Sequence, residues 1–368
     1  MSGPHDTIPP ARPVIGEAEI DAAVRVLRSG MVVQGPEVAA FEQEFSELVA
    51  GRHCVAVNSG TSALQLSLMA LGFGPGDEVI VPSFSFAASA NAVRLVGATP
   101  VFVDIEAGTF NLDPDAVAAA ITPRTVAIMP VHLYGQPAAM DRIMPIARQH
   151  SLAVVEDAAQ AHAAAIDSQP VGTFGEVGCF SFYPTKNMHS LEGGMVSTAD
   201  AGLARTLRLL RNQGMEQRYQ NEIVGANMRL TDVAAAIGRV QLGQLEEWTE
   251  KRRANAAYLD KNLSGVVVPP VAPGFRHVYH QYTIRVTGDR DAFQSGLKER
   301  GIGSMVYYPT PIHRLRPYLT EAGTVGDWKL PETDRAAEEV LSLPVFPSLT
   351  QEQLDRIVEA VNTVADAA

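Results

Sequence analysis

From Gly16 to Arg28 the apolar residues Ile20, Ala23, Val24 and Leu27 recur at helical spacing. Pro36 opens a second stretch of the same kind, with Val38, Phe41, Phe45 and Leu48 on one face. Beyond Gly51 the pattern changes. Short apolar runs at His53–Val57, Glu78–Val81, Pro100–Val103, Thr125–Pro130 and Leu152–Glu156 alternate with segments long enough for a helix. Such alternation predicts an α/β fold with a mostly parallel sheet and helices on both faces. Functional residues are then expected where strands end and helices begin.

Further on, a basic helix is predicted over Ala201–Arg211, and a polar loop lying over the site over Gly214–Asn227. Thr231 caps a helix running from Asp232 to about Trp248. The rest of the chain offers a helix at Arg252–Leu263, strands near Tyr282–Val286 and Ser304–Tyr307, and a last helix at Gln351–Ala365. Three parts are expected: a flexible N-terminal arm (1–14), a large domain (15–248) and a smaller C-terminal α+β domain (249–368), dividing near Glu246–Lys251.

Composition narrows the possibilities. With 46% hydrophobic and 19% charged residues, the chain has the make-up of a globular protein. A net charge of −12 without any Lys/Arg run argues against nucleic acid as a partner. Cys54 and Cys179 sit in apolar, strand-like settings and read as buried thiols; two cysteines cannot hold an iron–sulfur cluster unaided. The polar, proline-rich Met1–Pro13 lacks the apolar core of a signal peptide, and no apolar run approaches a membrane span. A cytoplasmic location and no membrane contact are the expectation.

The chemistry concentrates in three segments. Val154-Val155-Glu156-Asp157 is a buried-type strand that runs into a carboxylate, with Gln160 three residues on. Ser181-Phe182-Tyr183-Pro184-Thr185-Lys186 is an apolar run ending at a lysine, followed by Gly193-Gly194 and a second strand-like run. A lysine desolvated between strands can lose its proton and act as a nucleophile. Gly60-Thr61-Ser62 follows a strand and opens a helix, where free N–H groups suit a phosphate; an ordinary Ser/Thr cap is the plainer explanation. Carboxylate, lysine and phosphate cradle together suit pyridoxal 5'-phosphate. The acid keeps the ring nitrogen protonated, and the lysine holds the aldehyde covalently and moves protons.

With Asn58-Ser59-Gly60-Thr61-Ser62-Ala63-Leu64, these segments resemble the DegT/DnrJ/EryC1/StrS family of sugar aminotransferases, in the family's own order and from about Arg12 to about Val361. The resemblance implies the fold-type I fold of pyridoxal phosphate-dependent transferases (aspartate aminotransferase-like), with Lys186 and Asp157 catalytic. Gly60, Thr61, Ser62, Phe86, Gln160, Ser181 and Asn227 would complete the cofactor site, Phe86 covering the ring unless Phe84 takes that place. Asn227-Met228-Arg229 is similar to the family's Asn-Tyr-Arg, whose asparagine reaches the phosphate in the other subunit of a homodimer; Met228 departs from the aromatic. Tyr183, Arg229, Tyr308 and His313 would meet the substrate, with Arg314 and Arg316 adding positive charge, and the Gly30–Gly35 loop would lie near the sugar. His162 is expected to be structural.

The implied reaction moves an amino group from glutamate, with pyridoxamine phosphate as the intermediate form, to a nucleotide-linked keto-sugar. A 4-keto-6-deoxyhexose on deoxythymidine diphosphate, or its 3-keto isomer, is the leading expectation. Two alternatives stay open: a nucleotide-sugar dehydratase of the same family, in which histidine replaces the lysine or an iron–sulfur site is added, and a non-catalytic sensor on the same fold. Two further departures bear on the pocket. Leu191-Glu192 stands where the family usually has Gly-Glu, and Ala163 where it often has glycine after Ala-His.

Overall fold

The computed structural model describes residues 7–320 and 327–367. Two amphipathic helices, α1 (Glu17–Ser29) and α2 (Pro36–Leu48), lead into β1 (His53–Val57). Units then alternate: α3 (Gly60–Ala70), β2 (Glu78–Pro82), α4 (Ala88–Leu95), β3 (Thr99–Val103), α5 (Pro114–Ala120), β4 (Thr125–Ile128), α6 (Met140–His150) and β5 (Ala153–Asp157). A small hairpin, β6 (Ala165–Ile166) and β7 (Gln169–Pro170), precedes β8 (Val177–Ser181), β9 (Gly194–Thr198) and α7 (Ala201–Arg211).

Seven strands form one sheet in the order β1-β9-β8-β5-β4-β2-β3. Only β9 runs against its neighbours; the pairs from β8 through β5, β4 and β2 to β3 are parallel. Every residue of β2 is buried, as are the last four of β1 and β5, which is why these strands read as unbroken apolar runs. One apolar cluster packs α3, α4 and α7 on the sheet through Leu64, Leu68, Val93 and Leu207. A second cluster packs α2 on it through Phe41, Phe45, Phe180 and Phe182.

Three expectations change on folding. Asp232–Asn262 is one helix, α8, of 31 residues, where two were expected, the first ending near Trp248 and the second starting at Arg252. Arg252, Asn255, Ala256 and Leu259 are buried along it, so packing supports its second half as well as its first. The described part of the N-terminal arm is docked rather than free: Ile8 is 1% exposed, exchanges backbone hydrogen bonds with Gly301 and Gly303, and joins the C-terminal apolar cluster. Residues 1–6 lie outside the described residues. Tyr282–Arg285 pairs antiparallel with Val340–Leu343, whereas Met305 makes only a single bridge, so the strand expected at Ser304–Tyr307 does not form. Helices at Arg290–Glu299 and Pro331–Glu339 went unread, although Asp289 caps the first of them.

Gly214–Asn227 forms a short exposed hairpin (Met215–Gln217 with Gln220–Asn221) that contributes nothing to the cavity described below. Cys54 and Cys179 are both free and buried. Among the described residues no helix is long and apolar enough to cross a membrane.

Candidate active site

The carboxyl ends of β1, β2, β4, β5 and β8 open into one cavity of about 470 Å³, within the range of small-molecule sites. Each strand delivers a different kind of group.

At the end of β1, Ser59 rather than Thr61 or Ser62 caps α3: its Oγ accepts the Ser62 N–H at 3.1 Å. Ser62 is buried, and its hydroxyl donates to Asn58 Oδ1 at 2.6 Å. It therefore supports the loop from beneath and does not face the cavity, which corrects its expected place among the phosphate donors. Ser59, Gly60 and Thr61 line the wall. The Gly60 and Thr61 N–H groups head the helix without intrahelical partners, the arrangement that suits an anion. Gly60 is required by a close approach: a Cβ there would sit 2.7 Å from the Ser181 Cβ. That contact presses the start of α3 against the end of β8 and brings the Ser181 hydroxyl to the same corner.

β5 ends at Asp157, which is 5% exposed. Burial raises its pKa; the Ser89 hydroxyl, the Ala159 N–H and the nearby Lys186 amine all work against that rise. Its neighbour Glu156 points away from the cavity and accepts the N–H groups of Gly172, Phe174 and Gly175. His132 fixes the other side: its Nδ1 accepts the Ala138 N–H, so Nε2 carries the proton and donates to Glu156 at 3.1 Å. One acid thus braces the strand end and leaves Asp157 to face the cavity.

Lys186 follows β8 in a tight turn closed by its own N–H to the Tyr183 carbonyl at 2.9 Å. Asn187 donates to the Val278 carbonyl at 2.9 Å, tying this turn to the C-terminal part of the chain. Burial pushes the Lys186 amine down from 10.5 to about 8, and Asp157 partly opposes it. Among the described residues Lys186 forms no ion pair. Amine and carboxylate therefore share a cavity without neutralising each other directly, leaving room between them.

Gln160 is held at both ends, accepting the Tyr134 N–H at 2.7 Å and donating to the Tyr308 hydroxyl at 2.7 Å. Tyr308 adopts a left-handed φ of 60°, and strained backbone of this kind clusters at functional sites. The two phenylalanines stand in different places. Phe84 is fully buried and packs edge-on to Tyr308, whereas Phe86 is 63% exposed and lines the cavity. Tyr183 also lines it.

Asn227, Arg229 and His313 do not line this cavity. Asn227 is exposed and bridges Asn212, and Arg229 donates to Asn212 Oδ1 at 2.8 Å. His313 is 1% exposed, and its Nδ1 lies 2.6 Å from Ser83 Oγ. It props the turn after β2 and does not touch the pocket space. Arg314 is paired with Asp334, and the Gly30–Gly35 loop is absent from the wall as well. His162 is fully buried between Phe180 and Phe182, in keeping with a structural role.

Ser59, Ser85, Glu192, His280 and Gln281 also line the cavity and were not among the expected site residues. Ser59 carried a legible signal as the residue before a helix start. His280 and Gln281 carried none; the Gln281 N–H bond to the Tyr134 carbonyl draws them in across the sequence.

The residues present fit pyridoxal phosphate. An anion cradle at the start of α3, a free amine of lowered pKa and a buried carboxylate sit around one space of suitable volume.

Comparison with known proteins agrees with this geometry. Residues 13–362 match the DegT/DnrJ/EryC1/StrS aminotransferase family. The chain is 46% identical over 354 residues to dTDP-3-amino-3,4,6-trideoxy-alpha-D-glucose transaminase of Streptomyces venezuelae, covering 95% of this chain and 93% of that protein. It is 45% identical over 340 residues to UDP-N-acetyl-3-dehydro-alpha-D-glucosamine 3-aminotransferase of Acidithiobacillus ferrooxidans, covering 92% and 91%. The crystal structure of S. venezuelae DesV in complex with a ketimine intermediate superposes with a TM-score of 0.90 at 45% identity, covering 95% of this chain and 94% of that one.

Proposed function

The chain belongs to the DegT/DnrJ/EryC1/StrS aminotransferase family, and we propose that it transfers an amino group from glutamate to a keto-sugar carried on a nucleoside diphosphate, with pyridoxal phosphate held between Lys186 and Asp157. One observation carries the reading: an amine pushed down to about 8 and a buried carboxylate open into the same cavity without forming an ion pair. Two relatives named for amination at carbon 3 favour a 3-keto substrate over its 4-keto isomer.

Pyridoxal phosphate, when bound, supplies a carbonyl that exchanges amino groups and a ring that stores the electron pair left by a departing proton. The Ser181 hydroxyl and the Gly60 and Thr61 N–H groups would hold its phosphate, and Phe86 would cover one ring face. Asp157 holds a proton on the ring nitrogen. Lys186 Nζ, part of it unprotonated near neutral pH, takes the proton from the donor's α-carbon in one half-reaction and returns one to the sugar carbon in the other. Gln160 fixes Tyr308 at the wall, where Tyr308 and Tyr183 orient the substrate.

Charge argues that the site is shared between two copies of the chain. Among the described residues the charged side chains at the wall, His280 aside, are Asp157, Lys186 and Glu192, one cation against two acids. A diphosphate-bearing sugar needs cations that this wall does not provide. Asn227 and Arg229 sit outside the wall on one surface segment and are assigned to the site of a second copy in a homodimer.

Purified protein is expected to be yellow and to lose its long-wavelength absorbance on addition of glutamate, which a sensor that merely binds the cofactor would not do. A panel of nucleotide keto-sugars, with the product carbon located by NMR, then identifies the acceptor. Turnover retained in Lys186→Ala refutes the assignment.

A further inference from the structure

We propose that Ser85 and Ser89 form a hydroxyl relay that holds Asp157 as an anion in one orientation, making Ser89 the positioning residue for the ring-nitrogen end of the site. The proposal rests on the functional reading above. Ser89 lies in the first turn of α4, is 1% exposed, and donates from Oγ to Asp157 Oδ2 at 2.8 Å. A serine hydroxyl has one proton. With that proton committed to the carboxylate, the 3.1 Å contact between the Ser85 and Ser89 hydroxyls has Ser85 as donor. Ser85 is 4% exposed and stands at the cavity wall, so the relay runs from the wall through Ser89 to Asp157 Oδ2. Each hydroxyl polarises the next, which strengthens the bond that reaches the charge.

The surroundings show why the carboxylate depends on it. Oδ1 has the Ala159 N–H at 3.2 Å, a long contact. Lys186 and His132 favour the anion, burial disfavours it, and Cys179 and Tyr308 face it as neutral groups. Glu156 is next in the chain, but its oxygens are turned to Gly172, Phe174, Gly175 and His132. Among the described residues Ser89 is the side chain that bonds Asp157. Without this hydroxyl the carboxylate becomes more basic and draws the shared proton away from the ring nitrogen it is meant to keep charged.

The test uses holoenzyme loaded with pyridoxal phosphate labelled with ¹⁵N in the ring, whose chemical shift reports protonation of that nitrogen independently of turnover. In Ser89→Ala the ring nitrogen is expected to lose its proton about one pH unit lower than in the parent, a tenfold change in proton distribution. kcat should fall by a similar factor with KM little changed. Ser89→Thr, which keeps the hydroxyl, restores both, and Ser85→Ala shifts the nitrogen in the same direction by less. An unchanged ¹⁵N titration in Ser89→Ala overturns the relay, as does a Ser89→Thr enzyme as impaired as Ser89→Ala. Should Ser89→Ala not fold, Ser85→Ala decides: a shift in the stated direction supports the relay and none overturns it. If the parent itself holds no labelled cofactor, it is the functional reading that fails.

Discussion

Lys186 is a cost to the fold as well as a reagent, and methionine at that position separates the two. The side chain sits partly buried at the cavity wall without an ion-pair partner among the described residues, and its amine falls from 10.5 to about 8. At about 1.4 kcal/mol per pH unit, holding the ammonium form in the folded protein at pH 7 costs about 3 kcal/mol. Solvent screening at the half-open wall trims this to about 2 kcal/mol. The sign follows from proton counting. Between pH 8 and 10.5 the unfolded chain binds one more proton at this position than the folded chain, so the parent gains stability as pH rises through that window. Methionine keeps an unbranched apolar stem of similar size and removes the charge. Lys186→Met is therefore expected to be catalytically dead yet more stable than the parent, by about 2 kcal/mol at pH 7. The gap should close once the pH passes the amine's ordinary value. Urea unfolding of both proteins without cofactor, at matched protomer concentration and at two pH values, measures it. Equal stability at pH 7, or a gap of the same size at both pH values, would show that the amine is not desolvated and would remove the reason for its reactivity.

Asp157→Asn should keep the cofactor bound but slow turnover by two or more orders of magnitude, roughly 3 kcal/mol of lost charge stabilisation, read from kcat at saturating substrates. Ala163 and Leu191 both hold left-handed backbone, with φ of 66° each. Ala163→Gly and Leu191→Gly should each raise stability by about 0.5–1 kcal/mol, since relieving the strain outweighs the added freedom of the unfolded chain; a lower melting temperature in either variant contradicts this. Mixing Lys186→Ala with Asn227→Ala subunits should yield one intact site per mixed dimer, about a quarter of wild-type activity from an equimolar mixture. Activity equal to the mean of the two parent preparations would show that Asn227 serves its own subunit.

The strands were legible because burial on both faces leaves a continuous apolar run, and His53–Val57 coincides with β1 residue for residue. Lys186, Asp157 and Gly60 were legible for a related reason: each lies at or just beyond a strand end, where an α/β sheet gathers its chemistry. α8 was divided too early because its middle is polar enough to suggest a linker. What carries the helix through is the burial of Arg252 and Asn255 against the C-terminal part of the chain, where their side chains bond the Tyr279 and Phe346 carbonyls. No local pattern reports contacts of that kind.

The two departures from the family pattern show how sequence and backbone inform each other. Ala163 and Leu191 were noticed as residues standing where glycine is usual, and nothing in the chain said why glycine should be there. Left-handed φ at both positions supplies the reason, because a Cβ penalises that conformation and glycine does not. Leu191 leads directly into Glu192, which reaches the cavity wall, and Ala163 lies three residues beyond Gln160, at the end of the turn that carries it. The fold therefore keeps these turns against the preference of their residues. Packing around each must supply about the 1–2 kcal/mol that the side chain withholds. Strain at these two turns thus borders Gln160 and Glu192, two residues of the cavity wall, while Lys186 and Asp157 lie outside both turns.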